Sequence, residues 1–249
     1  MEIIVIIIGA ALAGFVQGLS GFGYSMTAMA LWAWTLEPTL AAVLAVFGGL
    51  TGQIIQAFSV RRGFDWRALW PFLLGGLAGL PLGLMLLPRL DVQLFKTVLG
   101  TLLVVFCPLM AFAHKLPRLS EWRYMQGPLR PISNALAGMA GGVMSALGGF
   151  SGVVPTLWCQ LGGMAKDAQR QIIQNFNLTM LAVTFASYLG SGLVSSSMLP
   201  LFAVALPAML LPSIWGGRLY HRISDQAFRR VVLGLLTLAG LAMLASGIR

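Results

Sequence analysis

Two clusters of small residues, Gly18-Leu19-Ser20-Gly21-Phe22-Gly23 and Gly148-Gly149-Phe150-Ser151-Gly152, each interrupt a long stretch that holds no charged residue. Glycine costs about 1 kcal/mol relative to alanine inside a helix, so each cluster predicts a helix break. A break exposes the N–H groups of the helix that follows, and that end carries roughly half a positive charge. Small residues let an anion come close to those donors. The chemistry on offer is therefore anion binding by backbone. Gln17, Ser20, Gly21 and Gly23 would contribute at the first cluster, and Gly148, Gly149, Ser151 and Gly152 at the second. Three amides in neighbouring apolar stretches, Gln53, Asn175 and Asn177, would either join such a site or bond one helix to another. The glycines at 75, 76, 79 and 83 read instead as close helix packing.

Little else in the chain could do chemistry. Cys107 and Cys159 lie inside apolar runs, match no metal or redox spacing, and read as small core- or lipid-facing residues. Glu37, Asp91, Asp167 and Asp225 all fall at the ends of apolar segments, and His114 and His221 near one interface. An enzyme would need a nucleophile, a metal-ligand set or an acid/base pair at depth. No catalytic residue, metal ligand or cofactor is expected. With no carboxylate inside a span, a cation site and proton coupling through a buried acid are both disfavoured.

The elements that position the clusters follow from composition. Of 249 residues 58% are hydrophobic and 9% are charged, against about 25% charged in soluble domains. Charge-free runs cover 3–36, 38–60, 68–88, 97–114, 131–165, 171–217 and 231–248. A spanning helix needs roughly 20 apolar residues. The run 171–217 fits two spans with a turn at Ser195-Ser196-Ser197 and Pro200. Each cluster-bearing run reads as two short helices meeting at a non-helical tip, either a full hairpin or a re-entrant one. The resulting segments are 3–20, 21–36, 39–59, 68–88, 94–113, 131–147, 150–164, 171–193, 199–217 and 231–248.

With the N-terminus outside and a reversal at each segment, thirteen of the sixteen basic residues fall on one side. They cluster at 60–67, 114–130, 165–170 and 218–230, and only Arg89, Lys96 and Arg249 lie opposite. Cytoplasmic loops carry the Lys/Arg excess, so both termini are expected outside. The net charge of +9 thus reports topology rather than affinity for nucleic acid. Lys96 is expected to snorkel to the outer interface.

An internal repeat underlies this layout. Gly14, Leu19, Gly21 and Phe22 recur 128 residues later as Gly142, Leu147, Gly149 and Phe150. At an offset of 134, Asp91, Lys96, Leu99 and Gly100 recur as Asp225, Arg230, Leu233 and Gly234. Five segments per half is odd, so the second half enters from the opposite side, an architecture common among transporters. The fold expected is an all-α integral membrane protein. Its two inverted-topology halves hold about five segments each, and a Gly-broken helical hairpin opens each half. The boundaries are 1–114 for the first repeat, 115–130 for a basic linker and 131–249 for the second repeat.

Gly14-Phe-Val-Gln-Gly-Leu-Ser-Gly-Phe-Gly23 and Gly141-Gly-Val-Met-Ser-Ala-Leu-Gly-Gly-Phe-Ser-Gly152 resemble the two repeat motifs of the sulfite exporter TauE/SafE family. The likeness extends through the repeat layout and the basic central loop. After the second motif stands Val153-Val154-Pro155, similar to the prolines frequent there in the family, whereas the first motif is followed by Tyr24-Ser25-Met26. The resemblance implies a permease in the bacterial cytoplasmic membrane that moves sulfite, a sulfonate or a related organosulfur anion. The expected partners are that small anion and the lipid bilayer, not nucleic acid, and the chain could pair as a homodimer. The competing expectations are a non-transporting membrane accessory protein and a membrane-embedded enzyme.

Overall fold

A computed structural model of the chain describes residues 2–20, 23–59, 63–112, 127–219 and 225–247. Among these residues there are ten α-helices and no strand. The first five are α1 (Glu2–Ser20), α2 (Tyr24–Trp32), α3 (Pro38–Ser59), α4 (Trp66–Leu86) and α5 (Val92–Ala111). The second five are α6 (Arg130–Gly148), α7 (Val153–Leu161), α8 (Lys166–Gly190), α9 (Leu199–Leu219) and α10 (Asp225–Gly247). Gly21, Phe22, Arg61 and Arg62 fall outside the described residues, as does most of the expected linker 115–130.

Six helices are long and apolar enough to cross a bilayer, namely α1, α3, α4, α5, α8 and α9. In α10 the apolar stretch is the shorter Arg230–Ser246. The breaks fall where the glycines stand, but the arms are unequal: α1 and α6 have 19 residues each, α2 and α7 only nine. Nine residues rise about 13 Å, less than half of a hydrocarbon core. The expected two short arms are thus one long and one short. Glycine marks where a helix stops and says nothing of how far its neighbour runs. The stretch 165–170, expected as a loop, is instead largely the first turns of α8, because Lys166 and Arg170 are good helix formers. Short carboxylates start α4 and α5: Asp65 Oδ1 accepts from Ala68 N–H at 3.2 Å, and Asp91 Oδ1 from Leu94 N–H at 2.6 Å.

Apolar side chains cover the outside, among them Ile3, Ile4 and Ile8 of α1, Leu74 and Leu82 of α4, Leu211 and Trp215 of α9, and Leu235 and Leu238 of α10. This is the surface that lipid, not water, would wet. The centre is held by α3, whose residues Ala41 to Val46 are fully buried. Lys96 places its Nζ 5.2 Å from the Trp34 ring centroid, a cation–π contact.

Two helix pairs make the closest backbone-to-backbone contacts. Gly75, Gly79 and Gly83 of α4 lie on carbonyls of Ala135, Met139 and Val143 in α6, while Gly138 and Gly142 lie on Phe72 and Gly76. In the other pair, Gly14 and Gly18 of α1 lie on carbonyls of Met209 and Ser213 in α9, and Gly216 returns the contact to Phe15. Only residues without a side chain permit this approach. Residue numbers rise together across both interfaces, so α4 runs parallel to α6 and α1 parallel to α9. At the third close pair, Gly100 meets Leu244 while Gly240 meets Leu103 and Val104, so α5 and α10 run antiparallel.

Candidate functional site

The chain leaves α6 through Gly149, whose φ of 80° is left-handed, a conformation that side chains with Cβ resist. Its amide donates to Ser145 O at 2.8 Å and that of Phe150 to Met144 O at 3.2 Å, occupying carbonyls at the end of α6. The chain enters α2 through Gly23, also left-handed at φ 89°. Both short helices thus begin at a glycine cluster, and their positive ends face the breaks.

The second cluster packs against α2. A Cβ on Gly149 would stand 2.6 Å from Ser25 Oγ, and one on Gly148 would stand 2.6 Å from Met29 Cε. Ser25 also lies against Gly49 of α3, and Leu181 of α8 touches both glycine positions. The Ser25 hydroxyl donates to Ala45 O at 3.2 Å. Around this junction each break is held by an amide side chain. At the second, Ser151 Oγ donates to Asn177 Oδ1 at 3.0 Å, and Gly152 leaves no more room than the Asn177 amide fills. At the first, Gln17 Oε1 accepts from Tyr24 N–H at 3.2 Å. Gln17 Nε2 lies against Gly52, and Tyr24 Oη against Gly48; both polar atoms are buried without a partner among the described residues. Buried donors left unpaired cost about 1–3 kcal/mol, which marks them as places where a ligand or water belongs.

Of the residues expected from sequence, Gly148, Gly149, Ser151, Gly152 and Asn177 come together, and Gln17 and Gly23 gather at the adjoining break. Gln53 is buried on α3, one turn beyond Gly49. Ser20 ends α1, and Gly21 is outside the described residues. Asn175 stands apart: its Nδ2 donates to Gly63 O at 3.1 Å and Gln171 O at 2.9 Å, tying α8 to the chain that enters α4. Two positions along a helix turn a side chain about 200°, so Asn175 and Asn177 face opposite ways. Residues the sequence did not single out are Ser25, Tyr24 and the α3 glycines 48, 49 and 52. Ser145, whose hydroxyl lies 2.7 Å from Thr184 Oγ1, is another. The small residues at 48, 49 and 52 were visible as a helical stripe, whereas Ser25 needed knowledge of where α2 begins.

The sequence profile described as Sulfite exporter TauE/SafE matches residues 6–243. The chain belongs to the TauE/SafE family. That match covers both glycine clusters and nearly the whole TauE/SafE chain, and the family is one of membrane transporters, not of enzymes. No curated protein and no solved structure shows a significant match to this TauE/SafE protein.

Proposed function

We propose that this TauE/SafE chain is a secondary carrier for a small oxyanion, sulfite or a sulfonate, in the bacterial cytoplasmic membrane. It works by alternating access between two inverted halves. The observation that carries this reading is the meeting of Gly149 with Ser25, which joins the two breaks beside α3 and α8. Two helix N-termini, two clamping amides and the unpaired Gln17 Nε2 surround that junction, a donor-rich setting for a charged SO3 group. Gln53, buried on α3, completes the site, and the short α2 and α7 make the hairpins re-entrant.

The inverted arrangement is supported by equivalence of contacts. Gly14 on Met209 matches Gly142 on Gly76, and Phe15 on Gly216 matches Val143 on Gly83. A shift of 128 residues relates α1 to α6 here, and one of 133 relates α4 to α9. The equivalent helices α5 and α10 are antiparallel, as inversion requires.

Reconstitution into liposomes tests the proposal. Sulfite or methanesulfonate should exchange by counterflow, while sulfate and thiosulfate mark the limits of selectivity. Dependence on an imposed pH or sodium gradient identifies the coupling ion. Failure of every sulfur oxyanion to exchange through folded protein would discard the substrate class.

A further inference from the structure

A cavity of about 250 Å³ opens between the start of α6 and the end of α7, away from the glycine junction. At about 30 Å³ per water it has room for a small anion with part of its hydration shell. Its walls include Arg130, Asn134, Trp158, Gly162, Gly163 and Met164, and none of the lining residues is acidic. Asn134 is 7% exposed, and its Oδ1 accepts from Trp158 Nε1 at 2.9 Å. That bond fixes the amide so that Nδ2 is left as a donor, and Nδ2 has no partner among the described residues. Arg130 has no carboxylate partner among them either. The C-terminal end of α7 by itself disfavours an anion, and the Arg130 charge must outweigh it, but backbone bonds already occupy three of its carbonyls. Those of Trp158, Gln160 and Cys159 already accept from the N–H groups of Gly162, Gly163 and Met164. Along α6, Asn134 lies about 20 Å from Gly148 at 1.5 Å per residue, so the cavity and the junction are separate places.

The equivalent place beside α1 and α2 is filled differently among the described residues. A shift of 128 residues puts Glu2 and Ile6 where Arg130 and Asn134 stand. The α2 indole of Trp32 is fully buried against Gly9, with Nε1 donating to Val5 O at 3.1 Å. One end of the pseudo-symmetric molecule is packed shut by an indole where the other keeps an open cavity with two cationic or amide donors.

We propose that this cavity is a second oxyanion site, in which Arg130 and Asn134 Nδ2 grip a sulfonate-type or phosphate-type group. A soluble anion taken from the aqueous face is the occupant, held there as a staging point for the junction. That staging role rests on the transport reading above; the binding does not. Because Glu2 and Ile6 replace Arg130 and Asn134 at the equivalent place, the site makes the two faces of the carrier unequal in their affinity for substrate.

The test is equilibrium binding of radiolabelled methanesulfonate to the purified full-length protein in a neutral detergent. Wild type should show two components. Arg130→Gln and Asn134→Asp should each weaken one of them by about tenfold or more, the loss expected for a charge-assisted bond. Asn134→Asp keeps the acceptor for Trp158 Nε1 while removing the donor and adding a negative charge, so it separates binding from folding. Arg130→Lys should stay close to wild type. Binding by Arg130→Gln and Asn134→Asp indistinguishable from wild type would overturn the site. If Ser151→Ala alone leaves both components intact, the junction reading fails and the cavity stands. Loss of the cavity component on adding a few phosphatidylglycerol molecules per protein would make the occupant a lipid headgroup and overturn the soluble-anion assignment.

Discussion

Gly149 is under two constraints at once, a left-handed backbone and the nearness of Ser25 Oγ. Replacing it by alanine costs about 1–2 kcal/mol for the backbone alone, and the added methyl pushes Ser25 from its place on Ala45 O. Gly149→Ala should therefore lower the melting temperature modestly and reduce transport severely, as read by thermal shift and liposome exchange on the same preparation. Full transport in that variant would remove the junction from the mechanism. Tyr188 offers a purely structural contrast. Its buried hydroxyl donates to Ala146 O at 2.6 Å, so Tyr188→Phe should cost about 1 kcal/mol in detergent unfolding. Gly234 has open space around it, and Gly234→Ala should stabilise α10 by roughly 0.5–1 kcal/mol. At this scale the sequence was partly legible. It flagged both Asn175 and Asn177, because a polar amide in an apolar segment is conspicuous. The choice between them depends on which face of α8 meets the second break and which meets Gly63, and no pattern within one helix contains that.

The helices show what glycine can and cannot announce. Both breaks stood where the clusters did, yet the arm lengths did not follow: α7 stops at Gly162-Gly163, where Gly163 is left-handed at φ 66°, while α2 runs out at Trp32 with no glycine to mark it. In the proposed repeat, Tyr24 and Gly152 are equivalent, and their surroundings compensate. Tyr24 meets Gly48, whereas Gly152 meets Asn177; bulk has moved from the short helix to the long one facing it, keeping the volume filled. The α4–α6 contact is less forgiving, because backbone faces backbone and no side chain can rotate away. Gly79→Val should cost at least about 3 kcal/mol and give little folded protein, measured as the monodisperse fraction on size exclusion. Near-normal yields would mean that the two helices can separate without loss. The glycines at 75, 79 and 83 were readable as packing from their spacing alone. Their partners on α6 were not, since Gly142 was legible only as part of a motif and Gly138 was not singled out at all.

Across the whole molecule, the parallel pairing of α4 with α6 puts Trp66 and Arg130 at one end. Orientation then becomes a labelling question. In a cysteine-free background, Arg67→Cys and Arg130→Cys should react with an impermeant maleimide from the cytoplasmic side only, and Val92→Cys from the outside only. The reverse pattern would invert the assignment drawn from the basic residues. The charge-free runs made the number of segments readable, because lipid tolerates so few charges. Which segment touches which was beyond reach, because α1 pairs with α9 and α4 with α6, helices far apart along the chain. That crossing has a consequence for how the chain is made. Gly14 finds its seat on Met209, which leaves the ribosome about 195 residues later, roughly 10–40 s at ordinary synthesis rates. Until then α1 must wait in the bilayer with its glycine face uncovered, and the nascent chain that still lacks α9 is the species that a membrane chaperone or protease would meet.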